Sequence, residues 1–238
     1  MFTNNLRQLA ISYPSHCNPL RCRAAVNFRS IGLIALLLCT TLFVSSTVSA
    51  GQLNADRTIL VMGDSISAGY GIQREQGWVH LLNQSLLANE YQWRAVNASV
   101  SGETTGGGLA RLPALLEEHA PQMVLIELGG NDGLRGYPVD NIRRNLEQMV
   151  SLVKATGAKP VIMAMRIPPN YGPRYTRQFD GVFAEVAETT DSELVPFFLN
   201  DIALEPGMMQ RDGIHPTAEA QPTLAATVQE ALAPLLTD

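Results

Sequence analysis

The stretch TILVMGDSISAGYG, residues Thr58 to Gly71, places a run of apolar residues directly before Gly63-Asp64-Ser65. A short apolar run that ends in turn residues is typical of a buried strand, and Thr58–Met62 is predicted to be one. Four similar runs follow along the chain. The further predicted strands are Arg94–Ala98, Met123–Leu128, Pro160–Met165 and Leu194–Phe198.

The segments between these strands carry apolar residues at helical spacing. One stripe comprises Ile142, Leu146, Met149, Val150 and Val153, and another comprises Leu109, Leu112, Leu115 and Leu116. Each stripe gives its helix one face to bury against a sheet. Strands that alternate with such helices predict an α/β fold, here a three-layer α/β/α sandwich with a five-stranded parallel sheet.

The N-terminus has the pattern of a secretory signal. Four arginines precede the apolar stretch Ile31–Val44, and the small residues Val48-Ser49-Ala50 form a plausible cleavage site. We expect residues 1–50 to be removed as a signal peptide and residues 51–238 to form one domain in the periplasm or outside the cell. An uncleaved anchor and a downstream translation start are the alternatives.

The amino-acid composition argues against some classes of structure and function. All three cysteines lie in the leader, so the domain cannot depend on disulfides. The leader contains four of the 17 basic residues and none of the 22 acidic residues. The remaining domain is therefore strongly acidic. Such a charge argues against nucleic-acid binding. A lipid anchor at Cys39 is not expected because Leu38 is a poor residue to precede it.

Polar residues follow the predicted strands, where ligand sites of open parallel sheets lie. Gly63-Asp64-Ser65 follows the first strand, NASVSG (Asn97–Gly102) the second, and GGND (Gly129–Asp132) the third. Taken singly, each could be an ordinary turn or helix cap.

His215 stands in RDGIHP, three residues after Asp212. A turn of this length can bring the Asp212 carboxylate to Nδ1 and leave Nε2 free to accept a proton. His80 and His119 lie in helical patterns and are interpreted as structural. If Ser65 and His215 meet at the strand ends, Ser65 has the neighbouring base that a nucleophilic hydroxyl needs.

Four sequence blocks, in this order, resemble those of the SGNH (GDSL) hydrolase superfamily: GDSIS around Ser65, NASVSGET with Gly102, GGND with Asn131, and DGIHP with Asp212 and His215. Longer strings such as ELGGNDGLRG, NYGPRY and DGIHPTAEAQP are similar to the periplasmic multifunctional acyl-CoA thioesterase I/lysophospholipase/arylesterase group within it. The similarity runs through nearly all of Arg57 to Leu236.

The resemblance implies a flavodoxin-like fold and a role for each matched residue. Ser65 corresponds to the nucleophile, His215 to the base and Asp212 to the residue that orients it. The N–H of Gly102 and the side chain of Asn131 correspond to oxyanion donors, and the N–H of Ser65 is the natural third donor.

The loop Ile167–Tyr175, which includes Pro168, resembles the mobile loop that covers the acyl chain in this group, and Leu134 is expected to line the same groove. Surface packing is the alternative for these residues. No His/Cys cluster with ligand spacing occurs, so no metal is predicted, and no cofactor is expected.

The sequence therefore predicts an exported serine esterase/thioesterase, a monomer that hydrolyses small-molecule fatty-acyl esters (arylesters, lysophospholipids and acyl thioesters) through an acyl-enzyme. An α/β-hydrolase is disfavoured because Ser67 replaces the second glycine of G-x-S-x-G. A carbohydrate-ester deacetylase would need more aromatic residues than two tryptophans and six tyrosines. A non-catalytic flavodoxin-like module could hold an anion at GETTGGG (Gly102–Gly108), although that segment has no cation.

Overall fold

The computed structural model describes residues 57–89 and 91–237, so the predicted signal peptide and its cleavage site lie outside the described residues. Within these ranges, five parallel strands form one sheet in the order β2-β1-β3-β4-β5. The strands are β1 (Arg57–Gly63), β2 (Trp93–Asn97), β3 (Met123–Glu127), β4 (Lys159–Met163) and β5 (Glu193–Val195). This is the strand order of flavodoxin-like folds, and the predicted fold class is confirmed.

Seven α-helices connect or follow the strands in the described residues. They are α1 (Ser65–Ala68), α2 (Trp78–Ala88), α3 (Thr105–His119), α4 (Gly130–Leu134), α5 (Val139–Ala155), α6 (Pro173–Thr189) and α7 (Gln221–Leu232). Helices α3, α5 and α6 pack side by side, and α2 packs against α7. The two groups cover the two faces of the sheet. None of the helices in the described residues is long and apolar enough to cross a membrane.

The predicted helical stripes lie in the core. All five apolar residues of the α5 stripe are at most 1% exposed. In α3, Leu112 and Leu116 are buried, whereas Leu109 and Leu115 are partly buried against the core. The sheet itself is apolar on both faces, since β1 and β3 are buried along nearly their whole length.

The fifth strand is shorter than its sequence indicates. Leu194–Phe198 was predicted, but β5 ends at Val195, because Pro196 has no N–H to continue the ladder. The chain then turns inward, and Phe198 packs edge-on against Trp78 at 5.8 Å between ring centroids. The apolar residues after β5 are therefore core residues that lie outside the sheet.

Candidate active site

Ser65 is placed by the junction between β1 and α1. Asp64 caps the helix, because its Oδ1 accepts a hydrogen bond from the N–H of Ile66 at 3.0 Å. Ser65 is the first residue of α1, just beyond the carboxyl end of β1. The N–H of Ser65 has no hydrogen-bond partner among the described residues and remains available to a ligand.

His215 reaches this edge from the loop before α7. Its Nε2 lies 2.8 Å from Ser65 Oγ, and its Nδ1 lies 2.7 Å from Asp212 Oδ2. The other oxygen of Asp212 accepts the backbone N–H groups of Ile214 and His215 at 2.9 and 3.0 Å. The turn predicted from the three-residue spacing is therefore present, and it joins Asp212, His215 and Ser65 in one chain of hydrogen bonds.

The charge state of Asp212 fixes the tautomer of the imidazole. Hydrogen bonds from the backbone and the ring of His215 lower the pKa of Asp212 to about 2. The carboxylate is ionised at neutral pH, so Nδ1 carries the proton that it accepts. Nε2 is then free to accept the hydroxyl proton of Ser65.

Two residues that the sequence analysis missed hold the His215 loop against the serine segment. The ring of Tyr70 lies over His215 with 4.5 Å between centroids. Gln210 Nε2 donates to the carbonyls of Tyr70 and Pro216 at 2.8 and 2.9 Å. Gly71 has a left-handed φ of 78°, and a Cβ there would lie 2.5 Å from Gln210 Oε1, so glycine suits the place where these segments touch. Neither contact has a local sequence signal.

The predicted oxyanion donors come from two further strand ends. Gly102 follows β2 with a left-handed φ of 79°, and its N–H has no partner among the described residues. Asn131 lies in α4 after β3, and its Nδ2 donates to Asp64 Oδ2 at 3.0 Å. Ser65, Gly102 and Asn131 line the same cavity, together with His215.

This cavity has a volume of about 670 Å³ and a mostly apolar wall. The predicted substrate-binding residues Leu134, Ile167 and Pro168 all lie in that wall. Further apolar lining comes from Met165, Leu199, Ala203 and Met209. Met165 and Met209 belong to the methionine-rich segments VIMAM (Val161–Met165) and GMMQ (Gly207–Gln210). His80 and His119 are not among the lining residues.

The predicted loop Ile167–Tyr175 closes one side of the cavity, but its last three residues, Pro173–Tyr175, form the first turn of α6. It contains a single 3-10 turn, Pro169–Tyr171, and a glycine with φ of 90° at Gly172 before α6 begins. The hydroxyl of Tyr171 donates to the carbonyl of Leu134 at 2.8 Å. Tyr175 donates in the same way to Tyr137 at 2.6 Å. Two phenol hydrogen bonds therefore tie this region to the end of α4 and to the segment that follows it.

The sequence analysis also missed that Asp64 and Glu127 form a buried pair of acids beside the serine segment. Glu127 is 0% exposed, and its Oε2 accepts the hydroxyl of Ser67 at 2.6 Å and the N–H of Asp64 at 3.1 Å. A Cβ at Gly63 would clash with the same oxygen, so glycine makes room for the carboxyl group. The acid ends an apolar strand, where the pattern gives no reason to expect a buried charge.

Burial raises the pKa of both acids, that of Asp64 to about 6 and that of Glu127 well above its usual range. Each oxygen of Asp64 accepts a donor, from Ile66 and Asn131, which favours its ionised form. Glu127 Oε1 has no hydrogen-bond partner among the described residues. The proton of the pair therefore belongs to Glu127.

The start of α3 is occupied by the protein's own groups. Asp132 accepts the N–H of Thr105 at 2.8 Å and its hydroxyl at 2.6 Å, and Thr104 Oγ1 accepts the N–H of Gly107. Glu103 pairs with Arg111 at 2.7 Å. Because these donors already have acceptors, the arrangement argues against an anion site at GETTGGG.

Comparison with known proteins relates this geometry to a family. The GDSL-like Lipase/Acylhydrolase family matches residues 61–221. The esterase TesA of Pseudomonas aeruginosa is 49% identical over 205 residues, which cover 86% of this chain and 96% of that protein. An arylesterase of Vibrio mimicus is 46% identical over 200 residues, which cover 84% and 98%. Thioesterase 1/protease 1/lysophospholipase L1 of Escherichia coli K12 is 45% identical over 179 residues, which cover 75% and 85%.

A solved structure agrees with these relatives. The psychrotrophic esterase EstA from Pseudoalteromonas sp., in a structure inhibited by monoethylphosphonate, matches with a TM-score of 0.75 and 45% identity. The match covers 77% of this chain and 100% of that one. Matches of this extent in both sequence and structure establish that the chain belongs to the GDSL-like lipase/acylhydrolase family and is a serine ester hydrolase.

Proposed function

We propose that the protein hydrolyses fatty-acyl esters and thioesters through an acyl-enzyme formed on Ser65. The observation that carries this proposal is the chain of hydrogen bonds from Ser65 Oγ through His215 to Asp212, with distances of 2.8 and 2.7 Å. The first distance lies within the range that proton transfer to a general base requires, and the second is that of the hydrogen bond that orients the base.

In the acylation step, His215 Nε2 removes the hydroxyl proton while Ser65 Oγ attacks the carbonyl carbon. The ionised Asp212 stabilises the imidazolium that results. The same proton then passes to the leaving alcohol or thiol, and the acyl group stays on Ser65. In deacylation, His215 takes a proton from water, hydroxide adds to the acyl carbon, and the released proton returns to Ser65.

Charge on the former carbonyl oxygen is stabilised by donors that are already in place. We assign this role to the N–H groups of Ser65 and Gly102 and to the second N–H of Asn131 Nδ2. The free state of the two backbone donors supports the assignment. One preorganised donor of this kind is typically worth roughly 2.7–4 kcal/mol of transition-state stabilisation.

The apolar wall of the cavity favours an acyl chain over a sugar. Leu134, Ile167 and Pro168 are proposed to contact this chain. The relatives named arylesterase and thioesterase 1/lysophospholipase L1 support arylesters, lysophospholipids and acyl thioesters as the substrate class. A carbohydrate-ester deacetylase has no comparable support from the wall of the cavity.

The proposal also covers the cellular location and the oligomeric state of the protein. The arginines and the apolar segment within residues 1–50 support export to the periplasm or the medium, with residues 51–238 as the working domain. We propose that this domain acts as a monomer, since the described chain carries all the proposed site residues.

Labelling with a fluorophosphonate tests the assignment of Ser65. A phosphonate that reacts as an ester analogue should modify Ser65 alone, and peptide mass mapping locates the adduct. Ser65→Ala should remain unlabelled and inactive, whereas Ser101→Ala, which removes another hydroxyl at the cavity, should still be labelled. Modification of folded Ser65→Ala, or its retention of esterase activity, would refute the mechanism.

A further inference from the structure

The exposed large apolar side chains of the described residues are not spread evenly over the surface. Eight of them are exposed: Tyr70, Leu87, Val100, Tyr137, Tyr171, Leu194, Leu204 and Ile214. Single exposed apolar residues are ordinary, but a cluster of them marks a site of interaction. Where these eight residues lie therefore matters.

Six of the eight adjoin the mouth of the cavity, and we call them the mouth ring: Tyr70, Val100, Tyr137, Tyr171, Leu204 and Ile214. Tyr70, Leu204 and Ile214 border the opening directly. Val100 precedes Ser101 and Gly102, which also line the cavity. The Tyr171 hydroxyl donates to the carbonyl of Leu134 in the cavity wall, and Tyr137 follows Leu134 by three residues. The ring is thus built from five separate loops that meet at one edge of the sheet.

The other two residues lie elsewhere. Leu87 is in the last turn of α2, which leads into β2, and so lies at the amino edge of the sheet, whereas the cavity lies at the carboxyl edge. Leu194 is the middle residue of β5, the strand at one side of the sheet, and is not among the residues that line the cavity. The apolar exposure is therefore concentrated on the side that contains the cavity.

Leu204 is the extreme member of the mouth ring, at 95% exposed. A leucine in this position contributes nothing to the core, but it would leave water completely on entering an apolar phase. Two exposed arginines lie at other points of the opening, where Arg166 lines the cavity and Arg135 donates to the carbonyl of Gly102. The charged residues next to Leu204 in the chain are the acids Asp201 and Glu205, so these two arginines are the groups at the opening that can meet the phosphates of a lipid surface.

We propose that the mouth ring docks on the surface of a phospholipid aggregate, with the arginines at the level of the phosphates. This docking proposal rests on the proposed function. An acyl chain then passes from the lipid directly into the cavity without crossing water. The apolar cavity and the apolar ring are continuous, so the substrate keeps an apolar environment along the whole path. The partner is a phospholipid micelle or bilayer, rather than a second protein.

Binding can be tested separately from catalysis with an inert protein. Ser65→Ala is mixed with vesicles of equal parts phosphatidylcholine and phosphatidylglycerol, and the fraction that sediments with them is measured. Ser65→Ala should bind. Adding Leu204→Glu should weaken binding at least about tenfold, because a charge replaces a side chain that enters the lipid.

Leu87→Glu in the same background is the matched control, since it makes the same change at the opposite edge. It should bind as Ser65→Ala does, and melting temperatures should show that both variants are folded. Absence of binding by Ser65→Ala, or equal loss in the Leu204 and Leu87 variants, would overturn the proposal. Failure of phosphonate labelling at Ser65 would refute the proposed function instead, whatever the vesicles show.

With an active protein, docking should appear as a ratio of rates. The rate on lysophosphatidylcholine micelles, divided by the rate on dissolved p-nitrophenyl butyrate, should fall at least about fivefold in Leu204→Glu. The same ratio should not change in Leu87→Glu. An unchanged ratio in Leu204→Glu would contradict direct transfer from the lipid surface.

Discussion

The side-chain amide of Asn131 has two N–H groups, and they have different roles. One donates to Asp64 Oδ2 at 3.0 Å. An ionised acceptor makes this a strong hydrogen bond, so the orientation of the amide is fixed before a substrate arrives. The other N–H can then serve an oxyanion without reorganisation. In the proposed mechanism, Asp64 is in this sense a positioning residue that acts through Asn131.

We expect Asn131→Ala to lower kcat by about 10²- to 10³-fold with little change in KM, because the donor acts chiefly in the transition state. Asn131→Asp should be worse, since a carboxylate would face both Asp64 and the developing charge. Steady-state kinetics and melting curves on the same preparations check this. Unchanged kcat in folded Asn131→Ala would remove Asn131 from the site.

Glu127→Gln should reduce the pH dependence of stability. The folded state keeps the Glu127 proton at pH values where the unfolded chain, with its pKa near 4.5, has lost it. Stability therefore falls as the pH rises from this value toward the raised pKa, by about 1.4 kcal/mol for each unit between them. The glutamine is neutral in both states, so this loss should be absent.

Urea unfolding at about pH 5 and about pH 8 measures the difference for both proteins. Glu127→Gln should lose less stability over this interval than the unmodified protein does. The Asp64 carboxyl remains in the variant and should still contribute a smaller fall of its own, since its pKa of about 6 is also raised. Equal losses in the two proteins would mean that Glu127 is ionised in the folded state.

Single residues differ in how far the sequence could predict them. Ser65 and His215 follow recognisable local patterns, and the structure brings them together across 150 positions. Glu127 could not be predicted, because its neighbours in β3 are apolar and its partner Ser67 is 60 positions away. A buried acid becomes interpretable only when the residues that satisfy it are known.

At the level of elements, the loop from Ile167 to Tyr175 is held by phenol hydrogen bonds rather than by packing alone. Tyr171→Phe removes the hydrogen bond to Leu134, which is worth roughly 0.5–1.5 kcal/mol. The loop should open more often, and KM for long-chain p-nitrophenyl esters should rise by about 2- to 10-fold. The kcat for the butyrate ester should change little.

The matched control for this change is Tyr91→Phe, which removes a phenol hydroxyl near the start of β2, at the other edge of the sheet. Its KM values should remain those of the unmodified protein for every chain length. If Tyr171→Phe also leaves the chain-length profile unchanged, the loop does not contact the acyl chain.

The helices and strands can be predicted from the sequence except where tertiary contacts determine their ends. The pattern in α5 was sufficient, because a single apolar stripe at helical spacing has one way to be buried. The apolar run that begins at Leu194 was misjudged at its end, since burial of Phe198 beside Trp78 looks the same in sequence as burial within a strand. In the sequence, only Pro196 indicates that the strand ends, because proline has no backbone N–H to donate to the neighbouring strand.

For the whole molecule, the position of the cysteines has a direct consequence. Cys17, Cys22 and Cys39 all precede residue 51. The melting temperature of the protein isolated from the periplasm or the medium should therefore be the same with and without dithiothreitol. A shift on reduction would mean that the leader and its cysteines are still attached, which would contradict cleavage near Ala50.

The predicted domain boundary can be tested by truncation on either side of β1. This strand lies between β2 and β3, so its first residues hold both neighbours. The N–H of Thr58 donates to Gln122 Oε1 at 2.7 Å, its Oγ1 accepts Arg94 Nε at 3.1 Å, and Ile59 is 0% exposed. A chain that begins at Gly51 keeps all these contacts and should fold with full esterase activity.

A chain that begins at Leu60 loses the contacts of Thr58 and the buried side chain of Ile59. Removal of such a side chain typically costs about 2–5 kcal/mol, and the lost hydrogen bonds add to this. Total stability is about 5–15 kcal/mol, so this truncation should lower the melting temperature sharply or prevent folding. Equal melting temperatures for the two chains would mean that the start of β1 does not hold the sheet together, and an unfolded Gly51 chain would place the true boundary earlier in the sequence.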